Sequence, residues 1–431
     1  ENRELPLILG QLTVLPKHYW QDREFDATTL EPPLGSGPYK IKSVDPNRSV
    51  TLERVEDYWG KDLAVAQGEN NFDIIEFEYY RDAQVAIEAF TGGRFDFRTE
   101  NSSKAWATAY DVPAVKKGLI KLDQFDHDRP SGMQGFTFNT RRDIFKDPAV
   151  RHALAYAFDF EWSNKNLFYG QYARTRSYFD NSELAATGLP SKAELELLGP
   201  FRGKIPDEVF TKEYNPPSSD GSGRIRSNLR TASKLLRDAG WVIKDGVRTH
   251  EATGRKLEFE ILLASPLFER VVLPFAKNLE TLGVKVRART VETAQYRRRL
   301  DTFDFDMVVG NWGQSMSPGN EQREFWGSSS ADQEGSRNII GIKDPAIDAL
   351  IEKIIAAPDR QSLITASRAL DRVLQWNHFV IPHFYAGYDR IAYWDKFGQP
   401  KITPTRGTNF MTWWVVPEKA ARIAEARKGG N

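Results

Sequence analysis

Short runs with a period of two alternate along this chain with stretches whose apolar residues recur every three to four positions. After the turn Gly35-Ser-Gly-Pro38, Tyr39-Lys-Ile41 and Val50-Thr-Leu-Glu-Arg-Val55 read as a pair of strands, and Phe72 to Tyr80 as another. Asp82 to Phe90 then shifts to helical spacing, with Val85, Ala86, Ala89 and Phe90 on one side, Gly92-Gly93 as the stop and Phe95-Asp-Phe97 as a short strand. Gln134 to Asn139 reads as a strand. Asp147-Pro148 supplies an N-cap and a first-turn proline for a helix facing inward through Val150, Leu154, Ala157 and Phe158. Residues 177 to 227, rich in Gly, Pro, Ser and charge, read as surface connections.

From Asn228 the order becomes clear. A helix (Leu229, Ala232, Leu236, Ala239) precedes a strand at Leu257 to Leu263. A helix through Leu267, Val271, Phe275 and Leu279 follows, despite Pro274, and then a strand at Val284 to Ala288. A polar helix at Ala294 to Leu300 leads into a strand at Phe305 to Gly310. This β-α-β-α-β series predicts an α/β fold with an open, mainly parallel sheet covered on its faces. Helices start at Asp344-Pro345 and Asp359; Phe379 to Tyr385, broken by Pro382, reads as an edge or crossing strand; Pro417 to Gly429 reads as a surface helix weakly docked through Ile423, or a fraying end.

The chain has 431 residues, long enough for two to four domains, and its 59 Lys+Arg balance 59 Asp+Glu. With an estimated pI of 7.3 and a mean hydropathy of -0.53, it is expected to be soluble and carries no global field that would gather a nucleic acid polymer. No apolar run approaches the roughly 18 residues of a membrane span. The absence of cysteine excludes thiolate catalysis, iron–sulfur clusters and disulfides within this chain. The six histidines form no zinc pattern, so neither a metal nor a cofactor is expected. Glu1 to Gly10 shows no secretory signal, which is expected to be absent or already removed, and leads at once into apolar Leu12-Thr-Val-Leu-Pro16.

Ligands of open α/β sheets sit beyond the carboxyl ends of the strands. The expected 305–310 strand delivers Asn311-Trp-Gly-Gln-Ser-Met-Ser-Pro-Gly-Asn320 there, offering Trp312 as a stacking platform with amides and hydroxyls beside it, or as an ordinary core residue. His383 and Tyr385 either present polar edges to a cavity or serve local structure. Arg299, within Arg297-Arg-Arg299, either forks onto a ligand carboxylate or belongs to a solvated helix. Asp304 and Asp306 are expected on one strand face, where like charges need solvent or partners. No GxSxG nucleophile is present and no acidic pair stands out, so no catalytic residue is assigned.

The ordered landmarks Leu15-Pro-Lys-His-Tyr-Trp20, Gly35-Ser-Gly-Pro-Tyr39, Arg54-Val-Glu-Asp-Tyr-Trp59, Gly92-Gly-Arg-Phe-Asp96, Phe138-Asn-Thr140, Asp147-Pro-Ala-Val-Arg-His-Ala-Leu154 and Leu235-Leu-Arg-Asp-Ala-Gly240 span nearly the whole chain. Together they resemble the periplasmic oligopeptide- and dipeptide-binding proteins of ABC importers, extracellular solute-binding family 5. The stretch Trp312-Gly-Gln-Ser-Met-Ser-Pro-Gly-Asn-Glu-Gln322 resembles more narrowly the YejA-type branch. The resemblance implies a large class II (cluster C) two-lobed fold that encloses an oligopeptide between lobes and passes it to an inner-membrane permease. The branch adds cell-wall-derived peptides and peptide-nucleotides of the microcin C kind, with one receptor per ligand.

The implied division is residues 1–160 in a first lobe, 161–382 as a second α/β lobe, and 383–431 returning to the first. The family carries a domain-sized stretch of roughly 150 to 190 residues before the Leu15-Pro16 region. The first lobe is therefore expected to be incomplete here, its N-terminal portion supplied by the same protein or a separate chain. Typical relatives place an Asp three residues after the tryptophan and some place an Arg three before it; here those positions are Ser315 and Val309. Gln314, Ser315, Asn320 and Glu321 are the expected substitutes, with Asn311, Asn139, His383, Tyr385 and Arg299 as further candidates. A saccharide or metal-chelate binder and a secreted hydrolase remain the alternatives.

Overall fold

The computed structural model describes residues 4–27 and 29–428; Gly429, the expected end of the last helix, lies outside them. The chain divides into two compact units, Glu1–Leu7 with Asp128–Gly387, and Ile8–His127 with Tyr388–Asn431.

The first unit is built on a five-stranded sheet. Its spatial order is Lys285–Thr290, Glu258–Leu263, Met307–Trp312, Met133–Phe138 and Val380–Pro382. The first three strands are parallel, as the β-α-β-α-β pattern predicts, and Met133–Phe138 runs antiparallel between Met307–Trp312 and Val380–Pro382. Alternate side chains go to opposite faces. Ile261, Leu263, Phe136, Phe138 and Ile381 join one core cluster with Val150, Leu154, Leu236, Phe275 and Leu279 of the covering helices. Leu262, Val308, Trp312 and Val380 join another with Ile347, Leu350, Leu370 and Leu374. Cover on both faces explains the continuous apolar runs Ile261-Leu-Leu263 and Met307-Val-Val309, whereas the edge strand Lys285–Thr290 alternates.

The helices begin where their caps say. Asp147, Asp344 and Asp359 accept from the backbone N–H of Ala149, Ala346 and Ser362, each at 2.8 Å, which satisfies donors that the first helical turn leaves free.

Several boundaries depart from expectation, and residues 1–7 and 383–387 group with the five-stranded sheet instead of the first lobe. Residues 128–160 belong with the five-stranded sheet rather than with the first lobe, because Met133–Phe138 pairs along its whole length with Met307–Trp312. The expected 305–310 strand lies two residues further on. Asp304 and Asp306 precede it and are drawn to Arg142, at 3.2 and 3.1 Å, so their mutual repulsion is compensated. That shift makes Asn311 and Trp312 the last rungs of a ladder, opposite Gln134 and Met133, instead of the start of a loop.

In the second unit, Tyr39–Asp45, Ser49–Arg54 and Ile74–Glu78 form an antiparallel sheet, and Tyr388–Trp394 pairs between Phe97–Thr99 and Ile120–Asp126. The C-terminal helix Pro417–Lys428 is docked rather than frayed. Ile423 is buried with Phe90, Ile120 and Trp394, and Lys419 and Arg422 reach Asp395 at 2.9 and 2.6 Å. The helix Leu5–Gln11 exposes Leu5, Leu7, Ile8 and Leu9.

Candidate functional site

The register of the five-stranded sheet gathers one edge. Trp312 lies opposite Met133 and Pro382 opposite Gly135, so the carboxyl ends of Glu258–Leu263, Lys285–Thr290, Met307–Trp312 and Val380–Pro382 all finish on the same side. This edge is where the topology places a ligand.

On one face of it stands Trp312, only 1% exposed. Its ring folds back over Gly310, where a Cβ would come within 2.7 Å of the indole. It packs against Trp326 at 4.9 Å between ring centroids, and its Nε1 donates to the Arg337 carbonyl at 3.1 Å. The stacking platform is therefore corrected to a core residue: a ring this enclosed has no free face to offer. What it does is hold the edge in shape.

A chain of amides leads outward from that core. Trp326 Nε1 donates to Gln322 Oε1 at 2.9 Å, and Gln322 Nε2 donates to Gln314 Oε1 at 2.8 Å. Gln314 Nε2 is left occluded and without a partner, a donor in need of an acceptor. Ser315 is exposed, and its Oγ accepts from the Ser317 backbone N–H. Asn320 donates through its backbone N–H and Nδ2 to Glu4 Oε2, at 2.6 and 2.5 Å. Sequence reasoning missed Glu4, because nothing local ties it to position 320. Glu321 accepts from the Gly319 backbone N–H at 3.0 Å and from Gln322 Nε2 at 3.1 Å, so it braces its own loop. Asn311 is exposed and lines a cleft of about 340 Å³ with Arg297, Asp301, Ser336 and Arg337.

Two candidates prove structural. Asn139 is fully buried, donates to the Phe303 and Phe305 carbonyls at 3.0 and 2.8 Å, and accepts from Arg141, leaving nothing for a ligand. Arg299 is held by Glu260 at 2.8 Å and Asp304 at 3.3 Å, which ties the 293–301 helix to the sheet.

The opposite face of the edge holds His383. It is completely buried among Phe136, Phe158, Phe268 and Phe384, with neither ring nitrogen bonded. Burial, reinforced by the charge of Arg174, drives its pKa well below the ordinary value, so the ring is neutral. Tyr385 is half-buried in a short strand paired with Ala173, and burial together with Asp180 pushes its hydroxyl up to about 12. Arg174, opposite Phe384 in that pair, went unnoticed in the sequence. Its three guanidinium nitrogens are occluded and unbonded, and burial pushes it down to about 10, still cationic at neutral pH. Among the described residues no group of three or more His, Asp or Glu is arranged to hold a metal ion.

The sequence matches the description "Bacterial extracellular solute-binding proteins, family 5 Middle" over residues 2–334. The chain belongs to this family. Its members are solute-binding proteins, and this chain is accordingly a binding protein of the periplasm rather than an enzyme. It is 47% identical over 423 residues to the "Probable peptide-binding protein YejA" of Agrobacterium fabrum, covering 96% of this chain and 69% of that one. It is 40% identical over 422 residues to the "Peptidoglycan-binding protein YepA" of the same organism, covering 96% and 68%. The oligopeptide-binding protein AppA of Bacillus subtilis, solved with a nonapeptide, matches with a TM-score of 0.66 at 20% identity, over 94% of this chain and 72% of that one. That likeness establishes the class II two-lobed fold and carries no information on the ligand.

Proposed function

We propose that this protein captures oligopeptides and hands them to an inner-membrane ABC permease, one receptor per ligand, with peptidoglycan-derived peptides and microcin C-like peptide-nucleotides among its cargo. The observation that carries the reading is the set of unsatisfied polar groups at the carboxyl edge, Gln314 Nε2 and the His383 ring nitrogens, in a chain so similar to a YejA-type protein. Groups of this kind serve the backbone N–H and C=O that every peptide carries, so one site accepts varied side chains. The likeness to YepA supports the cell-wall component of the cargo.

We also propose that further polypeptide completes the 8–127 unit. Ile74, Phe77 and Tyr79 stand exposed on and beside one strand, which favours a covering segment. Mass spectrometry of material retained through mild purification tests the ligand class. Short peptides, muropeptides included, are expected; a saccharide or metal chelate with no peptide overturns the proposal.

A further inference from the structure

The strongest unused feature is the cation at Arg174. A guanidinium has five N–H donors and cannot shed its charge at neutral pH, so one that is occluded and bonded to nothing is costly in isolation. Around it the structure supplies surfaces rather than partners. The guanidinium lies over the rings of Phe158 and Phe160, at 4.9 and 5.2 Å from their centroids. Two carboxylates are within electrostatic reach, and each has one oxygen engaged elsewhere. Asp159 Oδ1 accepts from Ser219 Oγ and the Trp162 N–H, and Glu161 Oε2 accepts from the Ser219 N–H. Asp159 Oδ2 is itself occluded and unbonded.

The place of Arg174 is as telling as its isolation. It pairs in register with Phe384, one residue after His383, beside the carboxyl end of Val380–Pro382. Phe268, in the turn that follows Glu258–Leu263, stacks on His383 at 5.5 Å. Phe160, whose ring lies beneath the guanidinium, also lines an open cleft of about 500 Å³ with Glu161, Asn164, Lys165, Tyr169 and Gly170. An unpaired cation thus sits at the ligand-binding edge of the sheet, next to an aromatic side chain that reaches a cleft.

We propose that Arg174 is the carboxylate receptor of the binding site, taking the C-terminal carboxylate of a peptide in a forked pair of hydrogen bonds above Phe158 and Phe160. The neutral His383 ring contributes an adjacent N–H. The forked geometry suits a guanidinium to a carboxylate better than to a single carbonyl. It also places a cation at the site in a chain that has Val309 where some relatives have an arginine. The inference rests on the peptide reading above.

The test uses the full chain and two pools of random tetrapeptides, identical except that one has free C-terminal acids and the other C-terminal amides. Peptides retained by the protein after gel filtration are counted by mass spectrometry for wild type, Arg174→Gln and Arg174→Lys, with Tm recorded for each without ligand. Wild type is expected to retain acids at least tenfold over amides. Arg174→Gln is expected to lose that preference while still retaining peptides, and Arg174→Lys to keep part of it. Tm in the glutamine variant is expected to hold or rise, because an unpaired buried charge is removed. Equal retention of acids and amides by wild type overturns the assignment, as does an unchanged preference in Arg174→Gln. A lowered Tm with the preference intact shows that Arg174 serves only Asp159 and Glu161, and also overturns it. If neither pool binds, the peptide reading itself falls.

Discussion

The three-residue stretches Ile261-Leu-Leu263 and Ile74-Ile-Glu76 are the end of one strand and the start of another, yet they live in different environments. The first is buried on both sides, its residues divided between two core clusters. The second belongs to a three-stranded antiparallel sheet on which Ile74, Phe77 and the neighbouring Tyr79 are 46%, 50% and 60% exposed. The same β-branched and aromatic residues therefore stabilise one unit and leave apolar surface on the other. Hydrophobic character encodes strand formation in both places, whereas the stabilisation depends on what lies across the face.

The sharpest way to break this contrast is a pair of truncations. Phe136→Ala removes a ring stacked on Phe275 at 4.7 Å in the fully buried face and is expected to cost about 3–5 kcal/mol in denaturant unfolding. Phe77→Ala on the exposed face should stay within about 0.5 kcal/mol. Equal losses would mean that the exposed sheet is covered in solution.

Acid separates the units next. His152 and His378 stack at 4.0 Å in the first unit, and burial lowers both pKa values from 6.5, with His152 and Arg151 adding to the effect on His378. Tyr214 and Trp376 are the other rings against His378. The unfolded chain protonates first as pH falls, so stability is complete above about 6.5 and is lost below it, at up to about 1.4 kcal/mol per pH unit for each histidine. Asp371, pushed up to about 7 by burial, works in the opposite direction: its contribution is present below its ordinary 3.8 and fades as pH rises through 7. His378→Asn isolates the histidine part, and asparagine suits the left-handed φ of +51° there. The variant should show a flatter fall in stability between pH 7 and 5 than wild type; parallel curves would exclude the stacked pair as its source.

At the ligand edge the effects are smaller. Gln314→Ala should weaken peptide affinity by about 1 kcal/mol in calorimetry, the net worth of one hydrogen bond, with Tm nearly unchanged. No change in affinity would remove this amide from the site. Smallest of all, Arg422→Ala in the second unit takes away a half-exposed partner of Asp395 and should lower Tm by the equivalent of about 0.5 kcal/mol or less. A larger loss would show that the C-terminal helix matters more than its exposure implies.

Much of the fold was legible because it is local. Asp-Pro caps, helical apolar stripes and glycine stops mark the helices, and the alternation of strand and helix from Asn228 gives the parallel part of the sheet. The misplaced features depend on partners far away in sequence. Met133–Phe138 changes unit because its ladder partner is Met307–Trp312. Trp312 is buried because Gly310, Trp326 and the Arg337 carbonyl meet around it. Asn139 and Arg299 looked available because their bonds, to the Phe305 carbonyl and to Glu260, close only in the folded chain. Arg174 was invisible for the converse reason: its significance is the lack of a partner, which no local pattern records.

The seat of Trp312 also constrains how such sequences can drift. A side chain at position 310 would collide with both the indole and the Thr137 hydroxyl. Glycine, tryptophan and threonine here are thus bound in a single inheritance: a lineage that enlarges residue 310 must first, or simultaneously, make room at both of the other two. Among descendants these three positions should change as a set, and single replacements at 310 should be rare.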